Sequence, residues 1–351
     1  MKENVPIFDG HNDILLKLYN QRSDDPARAF IHGNKSFHID LPKARSGGLF
    51  GGLFALYSPS HDKISFAGMT GGSYRIPMPA PLVISEAQPS VLAELSILLR
   101  IERESNGAVL RCMSTREIRA ARDSGALAVV VHLEGAEAID EDLHFLDILY
   151  GCGLRSIGPV WSRNNIFGYG VPFHFPASPD LGPGLTHAGE RLIKACNRMK
   201  ILVDLSHITE MGFWDVARLS TAPLVATHSN AHALCPSPRN LTDKQLDAIR
   251  DTGGLVGLNF ATCFLRNDGE MRTDTPIDLL IEQLDYLLER VGEDHVGLGS
   301  DFDGAAIPEA IGSSAGLPVL MDSLRTKGYS DTLLLKIASE NWLSVLARTI
   351  D

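Results

Sequence analysis

Several short apolar runs of this sequence end in histidine and carboxylate residues that could bind metal ions. The first run leads into D-G-H-N-D at Asp9–Asp13, where His11 and Asp13 are two residues apart and would point to the same side of an extended chain. An imidazole and a carboxylate placed in this way can hold one divalent metal ion. The H-x-D spacing is a weak signal alone, so its meaning depends on the other runs.

Four later runs end in residues of the same chemical types. The polar residues at these ends are Glu134, His207, His228 and Asp301. A carboxylate such as Glu134 can bridge two metal ions, with one oxygen on each ion. Nitrogen and oxygen ligands without thiolate suit zinc, with manganese or iron as alternatives.

A pair of such ions would determine the type of reaction. Two divalent ions about 3.5–4 Å apart hold a bridging water, lower its pKa towards neutrality and polarise a carbonyl group. Amide hydrolysis also needs a carboxylate outside the metal ligands that moves a proton from the water to the leaving amine. Asp301 is the best candidate for that carboxylate. The pattern therefore predicts a metal-dependent hydrolase.

The elements that must position these residues are apolar runs separated by amphipathic segments. Several runs are nearly continuous in Val, Ile and Leu, as strands buried on both faces tend to be. Strands that alternate with helices predict an α/β fold, the (β/α)8 TIM barrel, whose active sites lie at the carboxyl ends of the strands. The runs are Val5–Phe8, Leu49–Tyr57, Ala126–Leu133, Leu154–Val160, Ile201–Leu205, Pro223–Thr227, Gly254–Phe260 and His295–Ser300.

Three of the separating segments carry helix signals. Val91–Ser105 has apolar residues at helical spacing. A T-x-x-Q capping box at Thr242–Gln245 predicts a helix that continues to about residue 250. Thr275 and Pro276 would form the N-cap and first position of a helix to about residue 290.

Two stretches rich in Gly, Pro and Ser interrupt the alternation, at 58–87 and 163–184. Both follow predicted strands, which would place them on the active-site face of a barrel. They are either loops that cover a substrate or ordinary structural insertions. No linker divides the chain, so we expect one barrel domain over residues 1–351.

Composition excludes several classes of function. The chain has 351 residues and a net charge of −11 without a Lys/Arg cluster, which argues against nucleic acid or an anionic membrane as a partner. No apolar run approaches 18 residues, and the first residues contain no apolar leader. The five cysteines include no C-x-x-C pair and are expected to be reduced. These features predict a cytoplasmic protein.

The motifs, taken together, resemble the membrane dipeptidase (renal dipeptidase) family of zinc peptidases, in particular its soluble bacterial members. The similarity covers nearly the whole chain, and its motifs occur in the family's order. They are D-G-H-N-D at Asp9–Asp13, L-E-G at Leu133–Gly135, D-L-S-H at Asp204–His207, T-H-S-N-A at Thr227–Ala231, P-R-N-L at Pro238–Leu241 and G-S-D-F-D-G at Gly299–Gly304.

The resemblance implies a role for each matching residue. Two zinc ions would be bound, one by His11 and Asp13 and the other by His207 and His228, with Glu134 bridging them.

It further implies that Asp301 is the acid/base and that Arg239 binds the C-terminal carboxylate of a dipeptide. The substrate would be a dipeptide, including one with a C-terminal D-residue, and a homodimer is plausible. A guanidinium group can recognise a carboxylate through two parallel hydrogen bonds.

One position departs from the family. Well-known members have a histidine near the tetrahedral intermediate where this chain has Trp161. An indole N–H can donate one hydrogen bond but cannot carry a positive charge. Trp161 is therefore a substrate-binding residue that replaces an oxyanion donor, or a wall of the pocket. Arg163, two residues further on, could supply the missing charge.

This departure leaves two other functions open. A reshaped pocket could favour an N-acyl amino acid, a cyclic amide or a lactone over a dipeptide. A barrel that binds a small molecule without catalysis would need missing ligands, and all five expected ligands are present.

Overall fold

The computed structural model describes residues 4–61 and 64–351, and its centre is a parallel β-sheet. Residues 62 and 63, part of the first predicted insertion, lie outside the described residues, as do residues 1–3. The strands are β1 (Ile7–Asn12), β2 (Leu49–Tyr57), β3 (Tyr74–Arg75), β4 (Val109–Arg111), β5 (Leu127–Glu134), β6 (Leu154–Gly158), β7 (His174–Phe175), β8 (Leu202–Val203), β9 (Val225–Ala226), β10 (Leu255–Leu258) and β11 (Val296–Leu298).

Eight of these strands form the predicted barrel. Neighbours follow the order β8, β6, β5, β2, β1, β11, β10 and β9, and the paired strands are parallel. A single bridge between Asp204 and Val225 joins the two ends of this order. The (β/α)8 prediction is therefore confirmed, with β4 as an additional strand that pairs with the start of β5.

Helices pack around the barrel, and several begin where the sequence places a cap. They are α1 (Ile14–Gln21), α2 (Pro26–His32), α3 (Leu41–Gly47), α4 (Ile84–Glu104), α5 (Thr115–Asp123), α6 (His144–Gly151), α7 (His187–Met199), α8 (Glu210–Leu219), α9 (Asp243–Asp251), α10 (Thr262–Leu265), α11 (Ile277–Val291), α12 (Leu317–Thr326), α13 (Asp331–Leu335) and α14 (Asn341–Ala347). Among the described residues, none of these helices combines the length and apolar character needed to span a bilayer.

Two of the three predicted helices have boundaries within two residues of the prediction, and the third begins seven residues earlier than predicted. Gln245 accepts a hydrogen bond from the backbone N–H of Thr242 (2.8 Å), which confirms the capping box of α9. Pro276 lies at the N-cap of α11 instead of its first position. The hydroxyl of Thr275, which was predicted to be the N-cap, donates to the carbonyl of Arg272. Helix α4 begins before the predicted Val91 and includes the last residues of the first predicted insertion.

The alternation of β5 explains how the barrel presents a functional side chain. Val130 belongs to the cluster inside the barrel, whereas Val129 and Val131 pack among the surrounding helices. Side chains alternate along a strand, so Glu134 lies on the same inner face as Val130. Below this end of the barrel, the side chain of Trp342 from α14 fills the interior, and its Nε1–H donates to the carbonyl of Leu298 (2.8 Å).

The two predicted insertions pair with each other above the carboxyl ends of the strands. Strands β3 and β7 are antiparallel, with Tyr74 opposite Phe175 and Arg75 opposite His174. The backbone N–H of Ile76 extends the pairing by donating to the carbonyl of Phe173 (2.8 Å). The insertions thus form a small two-stranded cover.

Candidate active site

The five predicted metal ligands converge at the carboxyl-terminal end of the barrel. His11 is the second-to-last residue of β1, Glu134 is the last residue of β5, and Asp13 directly follows β1. His207 and His228 follow the short strands β8 and β9. None of the five is more than 6% exposed, so each side chain faces the protein interior.

His207 and His228 have the spacing of two ligands of one ion. Their Nε2 atoms are 3.2 Å apart. Bonds of about 2.0–2.1 Å in a tetrahedral zinc site place two nitrogen ligands roughly 3.3 Å apart. Oε1 of Glu134 lies 3.0 Å from Nε2 of His207 and 3.5 Å from Nε2 of His228. These three side chains therefore fit one divalent ion.

A second group of ligand atoms adjoins the first. Nε2 of His11 is 3.2 Å from Oδ2 of Asp13 and 3.6 Å from Oε1 of Glu134. Ligand atoms of His11, Asp13 and Asp301 all lie within 4.8 Å of one another, as do those of His11, Glu134 and His228. His11 belongs to both of these last two groups, and Glu134, a member of one, is also close to Nε2 of His11.

Hydroxyl groups hold the outer nitrogens of two of the imidazoles. Nδ1 of His207 is 2.9 Å from Oγ of Ser162, and Nδ1 of His228 is 2.8 Å from Oγ1 of Thr227. A ligand imidazole usually donates its other N–H to such a partner, which fixes the ring and leaves the inner nitrogen free to bind. Ser162 was not predicted from the sequence.

Burial determines the charge states of this cluster. Burial lowers the pKa values of His207 and His228 well below the usual range, so both imidazoles are neutral, as ligands must be. For His11, burial also acts to lower the pKa, but the carboxylates of Asp13 and Glu134 outweigh it and raise the pKa to about 10.

The carboxyl groups respond to burial in the opposite direction. Burial, together with neighbouring carboxylates, raises the pKa values of Glu134 and Asp301. Several carboxylates and neutral imidazoles in one dry cluster form a donor set that a divalent cation would stabilise.

Asp301 occupies a strained backbone position beside this cluster. Its φ is +58°, in the left-handed region that non-glycine residues seldom adopt, and its N–H donates to the carbonyl of His11 (3.0 Å). Asn259 donates from Nδ2 to Oδ2 of Asp301 (3.0 Å). Asn259 was not predicted from the sequence. It is the polar residue near the end of the predicted run Gly254–Phe260, so the search for polar residues at the ends of apolar runs could have found it.

Gly304 allows two of these carboxylates to approach each other. A Cβ at position 304 would overlap Oδ2 of Asp13 and lie 2.6 Å from Oδ1 of Asp301. Both carboxylate oxygens face the cluster, and they can occupy these positions because residue 304 has no side chain.

We therefore expect Gly304→Ala to displace Asp13 and Asp301 and to lower the affinity for a divalent metal ion by about 10–100-fold, the usual effect of disturbing the support of a ligand. Equilibrium competition with a chromogenic chelator would measure it. Gly151→Ala is the matched control, because a Cβ there meets no atom within 4 Å. Unchanged affinity in Gly304→Ala would contradict this interpretation.

Arg239 lies beside the cluster with unused hydrogen-bonding capacity. It is 2% exposed, and its Nη2 donates to the carbonyl of His228 (3.1 Å). Within the described ranges 4–61 and 64–351, its Nε and Nη1 have no partner. Its guanidinium carbon lies 5.3 Å from the centre of the Phe264 ring. A buried guanidinium whose Nε and Nη1 have no partner in the described part of the chain is suited to bind a carboxylate.

The comparison with known families covers this whole arrangement. The family model of the membrane dipeptidases, peptidase family M19, matches residues 1–350. The chain belongs to peptidase family M19. It is therefore a metal-dependent peptidase, and the family recognised from the sequence motifs is confirmed.

Solved structures of M19 relatives superpose on almost the entire chain. A metallopeptidase from Rhodobacter sphaeroides, liganded with a phosphinate mimic of the dipeptide L-Ala-D-Ala, is 49% identical and has a TM-score of 0.96, over 99% of this chain and 100% of its own. The dipeptidase AC, a metallopeptidase of family M19, is 48% identical with a TM-score of 0.96, over 99% of each chain. An uncharacterized protein in the pqqA 5′ region of Klebsiella pneumoniae is 51% identical over 72% of this chain and 93% of its own.

Trp161 lies against the cluster. Its ring centre is 5.8 Å from that of His207, 5.2 Å from that of Tyr57 and 5.6 Å from that of Phe173. Phe173 stacks in turn with Phe264, 6.4 Å away, whose ring lies beneath Arg239. An aromatic wall therefore runs from His207 to Arg239 in this M19 chain.

Arg163 does not supply the charge that Trp161 lacks. The side chain is fully buried, with Nε donating to Glu137 (3.0 Å), Nη1 to the hydroxyl of Ser60 (2.8 Å) and Nη2 to the carbonyl of Ser58 (2.7 Å). All three nitrogens are used, so Arg163 ties the first insertion to the loop after β5. The suggestion that it replaces a catalytic charge is wrong.

Proposed function

We propose that this chain is a binuclear zinc dipeptidase that cleaves dipeptides, including those with a C-terminal D-residue. The convergence of five ligands around Glu134 carries the proposal. His11 and Asp13 would hold one ion and His207 and His228 the other, with Glu134 shared between them. Manganese or iron are the alternatives to zinc for this donor set.

The bound ions would supply an activated water and polarise the peptide carbonyl. Asp301 is placed to hold the proton that must reach the leaving amine. Asn259 fixes its Oδ2 (3.0 Å), so that Oδ1 is the oxygen near Gly304 and Asp13. Burial, followed by the charge of Asp13, raises the pKa of Asp301, and a carboxyl group in this position can take up and release a proton beside the cluster.

Arg239 would select for the C-terminal carboxylate of the substrate. Its Nε and Nη1 have no partner among the described residues, so their N–H groups are free to donate to that carboxylate. A carboxylate can be held in this way whichever side chain its α-carbon bears, so recognition does not require the L configuration. The L-Ala-D-Ala mimic bound by the Rhodobacter sphaeroides relative supports this substrate class.

Trp161 would form a wall of the substrate pocket, since its neighbours are aromatic rings and the imidazole of His207. A wall of this kind restricts the side chains of a substrate and leaves the reaction type unchanged. The single domain over residues 1–351, the cytoplasmic location, the homodimer and the absence of nucleic-acid and membrane partners stay predictions.

The proposal is tested by the hydrolysis of L,L- and L,D-dipeptides by purified protein, before and after removal of metal with a chelator and return of zinc. We expect hydrolysis of both types, lost with the metal and restored by zinc, because the ligands and Arg239 act on groups that both types share. N-acyl amino acids, cyclic amides and lactones are included as competitors. Faster hydrolysis of one of these than of every dipeptide would overturn the proposal, as would activity that survives complete metal removal.

A further inference from the structure

Asp204 is a buried carboxylate between β8 and β9 that belongs to neither group of metal-ligating atoms. We propose that it is a positioning residue, which acts through Thr227 to select the imidazole tautomer of His228 that can bind a metal ion. This inference rests on the proposed role of His228 as a ligand.

The Asp204 carboxylate supplements the short strand pairing where β8 meets β9. Strands β8 and β9 have two residues each and are joined by one bridge at Asp204 itself. Oδ1 of Asp204 accepts from the backbone N–H groups of Ser206 (3.1 Å) and Thr227 (2.8 Å), and from the hydroxyl of Ser206 (2.6 Å). His207 and His228 directly follow Ser206 and Thr227, so this oxygen fixes the backbone from which both ligands project.

The second carboxylate oxygen controls a proton. Oδ2 of Asp204 accepts from the hydroxyl of Thr227 (2.7 Å), which therefore directs its only proton towards Asp204. The hydroxyl oxygen is then an acceptor for Nδ1 of His228, 2.8 Å away. His228 must carry its proton on Nδ1, and Nε2 keeps the lone pair that faces His207 and Glu134.

Asparagine at position 204 would reverse this chain of hydrogen bonds. Two backbone N–H groups surround Oδ1, so the amide oxygen of asparagine would occupy that position and its NH2 group would face Thr227. Thr227 would then receive a hydrogen bond and direct its own proton towards Nδ1 of His228, which is closer (2.8 Å) than the hydroxyl of Ser206 (3.3 Å). The proton of His228 would move to Nε2, the nitrogen that must bind metal.

The test uses metal-free protein labelled with 15N in histidine, in which chemical shifts distinguish the two tautomers. We expect the His228 signal, assigned by its loss in His228→Gln, to change from the Nδ1–H form in the native protein to the Nε2–H form in Asp204→Asn. Zinc titration of the same samples should show one of the two sites weakened by about 10–100-fold, the usual range for loss of such support.

Three further variants separate this role from general support of the fold. Thr227→Val removes the hydroxyl and keeps Asp204, so we expect a mixture of tautomers and a smaller loss of affinity. Thr227→Ser keeps the hydroxyl and should restore both properties. Asp9→Asn is the matched control, because Asp9 is an equally buried carboxylate that accepts from the N–H (2.7 Å) and hydroxyl (2.8 Å) of Ser300 without contacting Thr227. It should leave the His228 tautomer unchanged.

Two results would overturn the inference. One is a His228 signal that stays in the Nδ1–H form in folded Asp204→Asn; the other, decisive if that variant does not fold, is a native tautomer and native zinc affinity in Thr227→Val. A native protein that binds fewer than two zinc ions would instead contradict the proposed function. The tautomer is measured without metal, so the two failures are distinguishable.

Discussion

Replacing Asp301 with asparagine is expected to lower kcat for dipeptide hydrolysis by about 10²–10⁴-fold, the usual contribution of a general acid–base group. Asparagine has nearly the shape of aspartate and can still accept the hydrogen bond from Asn259. It cannot take up a proton from the attacking water or deliver one to the leaving amine. The five metal ligands remain, so metal analysis of the purified variant should show the native zinc content.

A neighbouring aspartate provides the control for this variant. Asp303 lies in the same turn, also at positive φ, but its carboxylate accepts from the backbone N–H groups of His38 (2.9 Å) and Ile39 (3.0 Å). Asp303→Asn should therefore leave kcat close to the native value. A native kcat in zinc-loaded Asp301→Asn would remove Asp301 from the proposed proton transfer.

Replacing Arg239 with methionine is expected to lower kcat/KM for dipeptides by about 10²-fold, since a hydrogen bond to a charged group contributes about 1.5–3 kcal/mol. Methionine preserves much of the buried volume and contact with Phe264. The carbonyl of His228 keeps a hydrogen bond from Nδ2 of Asn259 (3.3 Å), so the backbone there remains supported. The loss should then reflect recognition of the substrate and not a change in the fold.

Dipeptide amides isolate the carboxylate in this measurement. They lack the group that Arg239 would bind, so the native enzyme should hydrolyse them poorly and Arg239→Met should reduce that rate little further. Arg272→Met is the control, because Arg272 is half-exposed and paired with Asp274 (2.7 Å) in the loop after β10. An equal loss on dipeptides and their amides would show that Arg239 does not recognise the carboxylate.

The sequence predicted the barrel well where strands are long and apolar. The run Leu49–Tyr57 is β2 without change, and β5 (Leu127–Glu134) is the run Ala126–Leu133 shifted by one residue. The run at 201–205 shortens to Leu202–Val203, because the side chain of Asp204 takes over the hydrogen bonds that a longer strand would make. No pattern of apolar residues predicts such a replacement.

The first strand shows a different limit of apolar patterning. The apolar run covers Val5–Phe8, whereas β1 begins at Ile7 and continues through the polar residues His11 and Asn12. Both side chains are fully buried and have polar partners there: Nε2 of His11 is 3.2 Å from Oδ2 of Asp13, and Nδ2 of Asn12 donates to the carbonyl of Leu53 (3.3 Å). Apolar patterning alone therefore places the end of this strand too early.

The identities of the candidate ligands followed from their order along the chain, but their surroundings did not. The pairing of Tyr74 with Phe175 joins segments about a hundred residues apart that have no periodicity of their own. Arg163, at the start of the second insertion, likewise donates to Ser60 and to the carbonyl of Ser58 in the first insertion. Contacts of this kind are determined by the tertiary fold, and a local pattern carries no signal for them.

Anomalous diffraction at the zinc edge, from crystals of the zinc-loaded protein, tests the central claim most directly. The account predicts two peaks, one beside Nε2 of His11 and the carboxylate of Asp13 and the other beside the Nε2 atoms of His207 and His228, with Glu134 in contact with both. A single peak, or peaks away from these side chains, would contradict a binuclear centre at this end of the barrel.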